Sequence, residues 1–325
     1  MKQEAVLFGD GQSLSGVITY PDKPLRGAPA VVFLSAGVIH RVGPNGLYAR
    51  LCGELAASGF LTLRFDFSGI GDSLPRADHL VFSQSSLLES QAAMDFLTAT
   101  TGVRRFVMAG LCSGAFAAVK TASHDSRVQG AIVLNAQTLQ DGDQNEFQIY
   151  AFNRSVARHL MRPRTWWKVI SGTARFEGKL EILADQLTGL FRRRRLARSA
   201  RSIVRQLQAL TERSVNLLFI YAKGDPGLEY FRLLGEHEIE RLRESGRLQL
   251  QIISGTDHIF APPEALQKVR RACVEWLERV HGPADDALRA NAPSLSLPVP
   301  PSVLTSRQEP APDPGLNLSF ERFLN

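Results

Sequence analysis

Short apolar runs rich in β-branched residues alternate with amphipathic stretches over most of this chain, and that alternation restricts the fold more than any other feature. It runs to about residue 135 and resumes from about residue 212 to 281. Strands separated by helices of this length form βαβ units, which predict a mainly parallel sheet with helices on both faces. The predicted strands are 14–20, 30–34, 60–65, 105–109, 128–134, 215–221 and 248–253, and the predicted helices are 47–58, 83–98, one from 115, 228–244 and 263–280.

The strand pattern stops between residues 136 and 211, where Trp166, Trp167, Leu187 and Phe191 recur at helix-like spacing among many arginines. This segment indicates a helical insertion within one domain. The predicted organisation is therefore a first core part over 1–135, a helical cap over 136–211 and a second core part over 212–281. Residues 282–325 hold 8 of the 17 prolines, which is typical of a flexible extension.

The net charge of +6 is concentrated in one segment. Residues 151–213 hold 15 Lys and Arg against 4 Asp and Glu, so the rest of the chain is acidic overall. This distribution predicts a local anionic partner and argues against nucleic acid as the general ligand. The three cysteines do not form a disulfide framework, and neither a signal-peptide core nor a membrane span is evident, which together predict a cytoplasmic protein.

A nucleophile elbow is predicted at Gly110-Leu111-Cys112-Ser113-Gly114, where a strand runs into a helix through a Gly-x-Cys-x-Gly turn. The chemistry needs small residues two positions before and two after the nucleophile, and both glycines satisfy this spacing only around Cys112. Ser113 is the alternative nucleophile. The alternative for Cys112 is that it is a small apolar residue buried in the core without a catalytic role. A position at a helix N-terminus would favour the thiolate.

In an elbow architecture the acid and the base follow the nucleophile, each after a later strand. Asp225 follows the predicted strand 215–221 and His258 follows the strand 248–253, so Cys112, Asp225 and His258 arrive in the required order. Asp257 is the competing acid, although an adjacent residue rarely reaches the outer ring nitrogen of the next histidine. No metal ligand set is predicted.

An acyl-transfer site also needs donors for the oxyanion. One predicted donor is the backbone N–H of Ser113, and the other is the N–H of Gly37 or Val38 in the loop after strand 30–34. His40 and Arg41 in the same loop either line the mouth of the site or hold the loop in place.

These motifs resemble those of the α/β-hydrolase superfamily. Residues 40–45 and 63–73, HRVGPN and LRFDFSGIGDS, are similar to the bacterial hydrolases described as exosortase A system-associated. The resemblance covers about residues 1–281 and implies an eight-stranded sheet, a helical cap and no metal or organic cofactor. The cysteine in place of the usual serine and the arginine-rich cap depart from the pattern of the family.

Three functions are compatible with these features. The first is an acyltransferase or thioesterase that forms an acyl-Cys112 intermediate from a thioester of coenzyme A or of an acyl or peptidyl carrier protein, docked by Arg192, Arg193, Arg194 and Arg195. The second is a carboxylesterase-type hydrolase of small esters. The third is a non-catalytic anion-binding scaffold, which has no need of an ordered triad.

Overall fold

The chain folds around one twisted sheet in this computed structural model, which describes residues 1–139, 189–232 and 235–281. The strands are β1 (Lys2–Phe8), β2 (Leu14–Tyr20), β3 (Ala30–Leu34), β4 (Thr62–Phe65), β5 (Phe106–Leu111), β6 (Val128–Leu134), β7 (Asn216–Ala222) and β8 (Leu248–Ile253). The helices are α1 (Leu47–Ala57), α2 (Phe82–Thr101), α3 (Ser113–His124), α4 (Gly189–Glu212), α5 (Pro226–Arg232), α6 (Glu236–Glu244) and α7 (Pro263–His281), with short 3₁₀ turns at Asp10–Gln12 and Pro44–Gly46.

The strand order is β1-β2-β4-β3-β5-β6-β7-β8. The pairs β1–β2 and β2–β4 are antiparallel, and every pair from β4 to β8 is parallel. The α/β-hydrolase fold expected from the sequence is therefore confirmed. Because β3, β5, β6, β7 and β8 run in the same direction, the loops that follow them meet at one edge of the sheet.

Two hydrophobic layers cover the faces of the sheet. One face packs against α2, α3 and α4, and the other packs against α1 and α7. Met94 and Leu207 are fully buried in the first layer, and Leu51 and Trp276 are buried in the second. Burying a large apolar side chain stabilises the fold by about 1.5–3 kcal/mol, so these layers fix the positions of the strand ends.

Three sequence expectations need correction. β1 was not predicted as a strand, because it begins with the polar residues Lys2, Gln3 and Glu4, which interrupt any apolar run. The helix predicted over 228–244 is two helices, α5 and α6, and Gly235 at φ 98° lies directly before α6. The strand predicted over 60–65 begins at Thr62, although Phe60 and Leu61 before it are also buried.

The predicted cap lies largely outside the described residues. Of its described ends, Leu139 and the α4 residues Ile203, Leu207 and Leu210 are buried in the core. The described ends of the 136–211 segment therefore pack with the hydrolase core. The predicted flexible tail, 282–325, also lies outside the described residues. Among the described helices, none is long and apolar enough to cross a membrane.

Candidate active site

The turn between β5 and α3 holds Cys112 in an unusual backbone conformation. Its φ is 55° and its ψ is −114°, whereas Ser113 already begins the helix. Non-glycine residues rarely adopt a positive φ, and such strain concentrates at functional sites. The strained position of this turn is therefore occupied by Cys112 and not by Ser113.

The two glycines of the turn are required by close backbone contacts. A Cβ at Gly110 would overlap the backbone carbonyl group of Gly114, and a Cβ at Gly114 would overlap the carbonyl oxygen of Leu34 in β3. The helix α3 thus approaches β5 and β3 more closely than any side chain would permit. This contact accounts for the Gly-x-Cys-x-Gly spacing seen in the sequence.

Asp225 and His258 meet at the same edge of the sheet. Asp225 follows β7, is almost fully buried, and its Oδ2 lies 2.7 Å from His258 Nδ1. Its other oxygen, Oδ1, accepts the Gly227 N–H at 2.7 Å, which fixes the carboxylate at the start of α5. Asp257 instead accepts the Ala261 N–H through Oδ1 and shapes the loop after β8.

The His258 ring is bonded to partners that favour its protonated form. Burial by itself lowers the pKa of His258, but hydrogen bonds to Asp225 and Cys112, together with their charges, outweigh burial and raise it to about 10. The hydrogen bond to the buried Asp225 carboxylate is therefore the contact that orients the ring and favours its protonated form.

The loop after β3 brings Gly37 next to the elbow. Its backbone N–H donates to Ser113 Oγ at 2.6 Å, and the loop is closed by a turn in which Ile39 N–H donates to the Ala36 carbonyl. The candidate oxyanion residues Ser113 and Gly37 are thus in contact, and the Gly37 N–H is occupied by the Ser113 hydroxyl, whereas among the described residues no such bond is seen for the third candidate, the Val38 N–H. The Val38 side chain is 92% exposed and makes the loop apolar toward solvent.

Arg41 is tied to carboxylates behind this loop. Its guanidinium pairs with the fully buried Asp66 and with the exposed Asp72, whose pKa it lowers. Of the two alternatives for Arg41, these contacts fit the one in which it holds the loop. His40, Asp66 and Asp72 place potential metal-ligand atoms within 4.8 Å of one another, but the guanidinium already supplies the positive charge between the two carboxylates.

The predicted docking residues, Arg192 to Arg195, lie within α4, and their side chains are outside the described part of the chain. Farther along the same helix, Arg201 and Arg205 are described, and Arg201 is exposed to solvent. The opposite side of α4 is buried against the core.

Two residues that support the site were not singled out from the sequence. The fully buried Tyr48 in α1 accepts the Leu111 N–H through its hydroxyl at 2.8 Å, directly before the elbow. Asn135, immediately after β6, contacts the loop that carries His258. Asn135 had a recognisable signal, because it is a polar residue that ends a buried strand at the catalytic edge. Tyr48 had none, since its position in α1 is that of an ordinary core residue.

Solved structures share this architecture at low identity. An alpha-beta serine hydrolase homologue from Coxiella burnetii is 15% identical, with a TM-score of 0.51, over 85% of this chain and 98% of that one. A proline iminopeptidase from Mycobacterium smegmatis is 14% identical, with a TM-score of 0.52, over 87% and 100%. An esterase from Pyrococcus furiosus is 14% identical, with a TM-score of 0.51, over 86% and 92%. These likenesses show the fold alone.

No curated protein matches this sequence. The family model described as serine aminopeptidase, S33, matches residues 28–259, which include the elbow, Asp225 and His258. The match covers more than half of the chain and extends from just before β3 into the loop after β8. The chain therefore belongs to the serine aminopeptidase S33 family of hydrolases with the α/β-hydrolase fold.

Proposed function

We propose that this hydrolase acts through a Cys-His-Asp triad and forms an acyl-enzyme intermediate on Cys112. The observation that carries the proposal is the His258 ring, which is hydrogen-bonded to the buried Asp225 and interacts electrostatically with Cys112 in its strained turn. A residue with a merely structural role has no need of this combination. The arrangement matches the geometric roles by which a nucleophilic triad is recognised.

In the first half-reaction the proton of the Cys112 thiol passes to His258, and the sulfur attacks the acyl carbonyl carbon and forms a tetrahedral oxyanion. The backbone N–H of Ser113 and an N–H of the β3 loop stabilise the negative oxygen. The bond to the leaving group then breaks, and His258 donates its proton to the departing thiol or alcohol. Asp225 keeps the ring oriented and stabilises its charged form.

In the second half-reaction an acceptor attacks the thioester on Cys112. His258 removes the proton of the acceptor, the oxyanion forms again, and the Cys112 sulfur leaves and recovers the proton from His258. With water as the acceptor the enzyme is a thioesterase or esterase, and with an amine, alcohol or thiol it is an acyltransferase. Exchange between thioesters is nearly balanced in free energy, so a cysteine nucleophile suits thioester donors better than stable amides.

The proposed donor is an acyl thioester of coenzyme A or of an acyl or peptidyl carrier protein. The charge distribution of the chain supports this donor. The segment around Arg192 to Arg195 is positively charged, whereas the rest of the chain is acidic overall, so this segment would bind the negative charges of coenzyme A or of a carrier protein. A carboxylesterase that releases a small acyl group to water is the second candidate, and it is favoured by membership of a hydrolase family.

Rapid mixing with a short-chain acyl-coenzyme A tests this function. We expect a burst of free coenzyme A equal to the enzyme concentration, followed by slower turnover, because acylation of Cys112 precedes release of the acyl group. A parallel experiment with p-nitrophenyl acetate measures the esterase alternative. A protein that gives no burst and no turnover with either donor, yet binds polyanions, would support the scaffold function.

A further inference from the structure

A buried asparagine connects the two loops that carry the proposed acid and base. Asn135 directly follows β6 and lies between the ends of β5 and β7 at the catalytic edge. It is fully buried, and its backbone has a φ of 42°. Asparagine tolerates this left-handed conformation better than most residues, because its short side chain finds local hydrogen-bond partners.

Both ends of the Asn135 amide are used. The Nδ2 group donates to the backbone carbonyl of His258 at 2.6 Å. The Oδ1 atom accepts the backbone N–H of Ala222, the last residue of β7, at 2.7 Å. The Asn135 backbone N–H donates to the Ile220 carbonyl at 2.9 Å, which anchors the residue itself to β7.

These bonds determine the separation of His258 and Asp225. Ala222 precedes Asp225 by three residues, and the carbonyl that Asn135 holds belongs to His258 itself. The side-chain amide of Asn135 therefore connects the end of β7, which leads to Asp225, with the loop that carries His258. Misplacement of a reacting group by about 1 Å is enough to lower a rate by about a hundredfold.

We infer that Asn135 is a positioning residue that holds His258 at bonding distance from Asp225 and Cys112. This inference rests on the proposed function of those three residues. The role requires one donor and one acceptor in the same side chain, which an amide has and a carboxylate lacks. An Asn135→Asp variant keeps the shape and the acceptor, but it loses the donor and faces the His258 carbonyl with a negative oxygen.

The test compares Asn135→Asp and Asn135→Ala with the wild type and with Thr101→Ala. Thr101 is a suitable control because it is buried in α2, donates to the Leu97 carbonyl and lies at the opposite end of the sheet from the site. The probe is iodoacetamide, whose reaction with Cys112 needs no acyl donor. Cys52 and Cys273 are buried, so peptide mapping distinguishes the reaction at Cys112 from unfolding. The rate is measured from about pH 5 to about pH 10, across the range in which His258 changes charge.

We expect both Asn135 variants to remain folded, to lose at least about tenfold in the acylation burst rate, and to show an altered pH dependence of Cys112 alkylation. The pH dependence of alkylation reports the interaction between His258 and Cys112. A substitution that only destabilises the fold leaves this pH dependence unchanged, so Thr101→Ala should keep the wild-type profile at a lower melting temperature.

The inference is overturned if Asn135→Asp behaves like Thr101→Ala, or if both Asn135 variants fail to fold. If wild-type Cys112 shows a His258-dependent alkylation profile but no burst, the proposed function fails while the role of Asn135 can still be read from alkylation.

Discussion

The conformation of Cys112 depends on two glycines whose hydrogen atoms face the backbone. Gly114→Ala would force a methyl group into the Leu34 carbonyl oxygen. We expect this change to reduce the free energy of unfolding by about 3 kcal/mol or more, because neither β3 nor α3 can move without disrupting the core. Urea unfolding followed by circular dichroism measures the loss.

A matched control is available at Gly53, within α1. There, among the described residues, no atom of a neighbouring element lies within 4 Å of an added Cβ. Gly53→Ala should stabilise the protein by up to about 1 kcal/mol, because alanine has the higher helix propensity. Similar effects of the two substitutions would mean that the close approach at the elbow is not required.

The charge of His258 makes a pH-dependent contribution to stability. Its pKa is about 10 in the folded protein and 6.5 in its ordinary state, so folding favours the protonated ring. The stabilisation that depends on this charge is fully present below about pH 6.5 and is lost as the pH rises through about 10.

Comparison of the wild type with His258→Gln across this pH range isolates the effect. We expect the difference in unfolding free energy to be largest near pH 6 and to shrink steadily toward pH 10. A difference that grows with pH would show that the folded protein favours the neutral ring.

At the residue scale, the sequence predicted that His258 and Asp225 lie together, as the structure has them, but not which residues hold them there. Cys112, Asp225 and His258 were predicted because each follows a recognisable strand and parallel strands end at one edge. The bonds of Asn135 to His258 and Ala222 join residues far apart in the chain, and no local pattern encodes them. The same holds for the hydroxyl of Tyr48 against Leu111.

At the level of elements, the loop after β8 gives different roles to its two adjacent residues, Asp257 and His258. His258 turns toward Asp225, whereas Asp257 turns back to accept the Ala261 N–H. Asp225→Asn should therefore lower kcat by about a thousandfold, since it removes the group that orients and charges the ring. Asp257→Asn should change kcat by less than about threefold. Steady-state kinetics of both variants with one acyl-coenzyme A donor measures the contrast, and a reversed order would assign the acid to Asp257.

Elements with a continuous apolar run were predicted well. The limits of β3 and β6 agree with the sequence prediction, because both faces of these strands are covered. The limits of the edge strand β8 also agree, although its middle residues are only partly buried. The edge strand β1 begins with polar residues and leaves Ala5 and Leu7 exposed, so its sequence lacks a clear pattern of buried apolar residues. The break between α5 and α6 was missed because the amphipathic pattern continues on both sides of it.

At the scale of the whole molecule, the arginine-rich helix α4 is expected to act through its charge. Arg192→Glu combined with Arg193→Glu should raise the KM for a carrier-bound or coenzyme A donor by about fivefold and weaken its dependence on salt. The KM for a small uncharged thioester should remain unchanged.

The matched control is Lys268→Glu combined with Arg271→Glu. Both residues are exposed on α7, which covers the other face of the sheet. This pair changes the net charge by the same amount and should leave both KM values near those of the wild type. Equal losses on charged and uncharged donors in the α4 variant would mean that Arg192 and Arg193 serve the fold instead.

The proposed mechanism places the acyl group on Cys112. Intact-protein mass spectrometry after mixing with an acyl-coenzyme A, followed by peptide mapping, tests it most directly. We predict one acyl group on the Cys112 peptide in the wild type and in Ser113→Ala, and no adduct in a folded Cys112→Ala protein. An acyl group mapped to Ser113, or an adduct that persists in Cys112→Ala, would contradict the assignment.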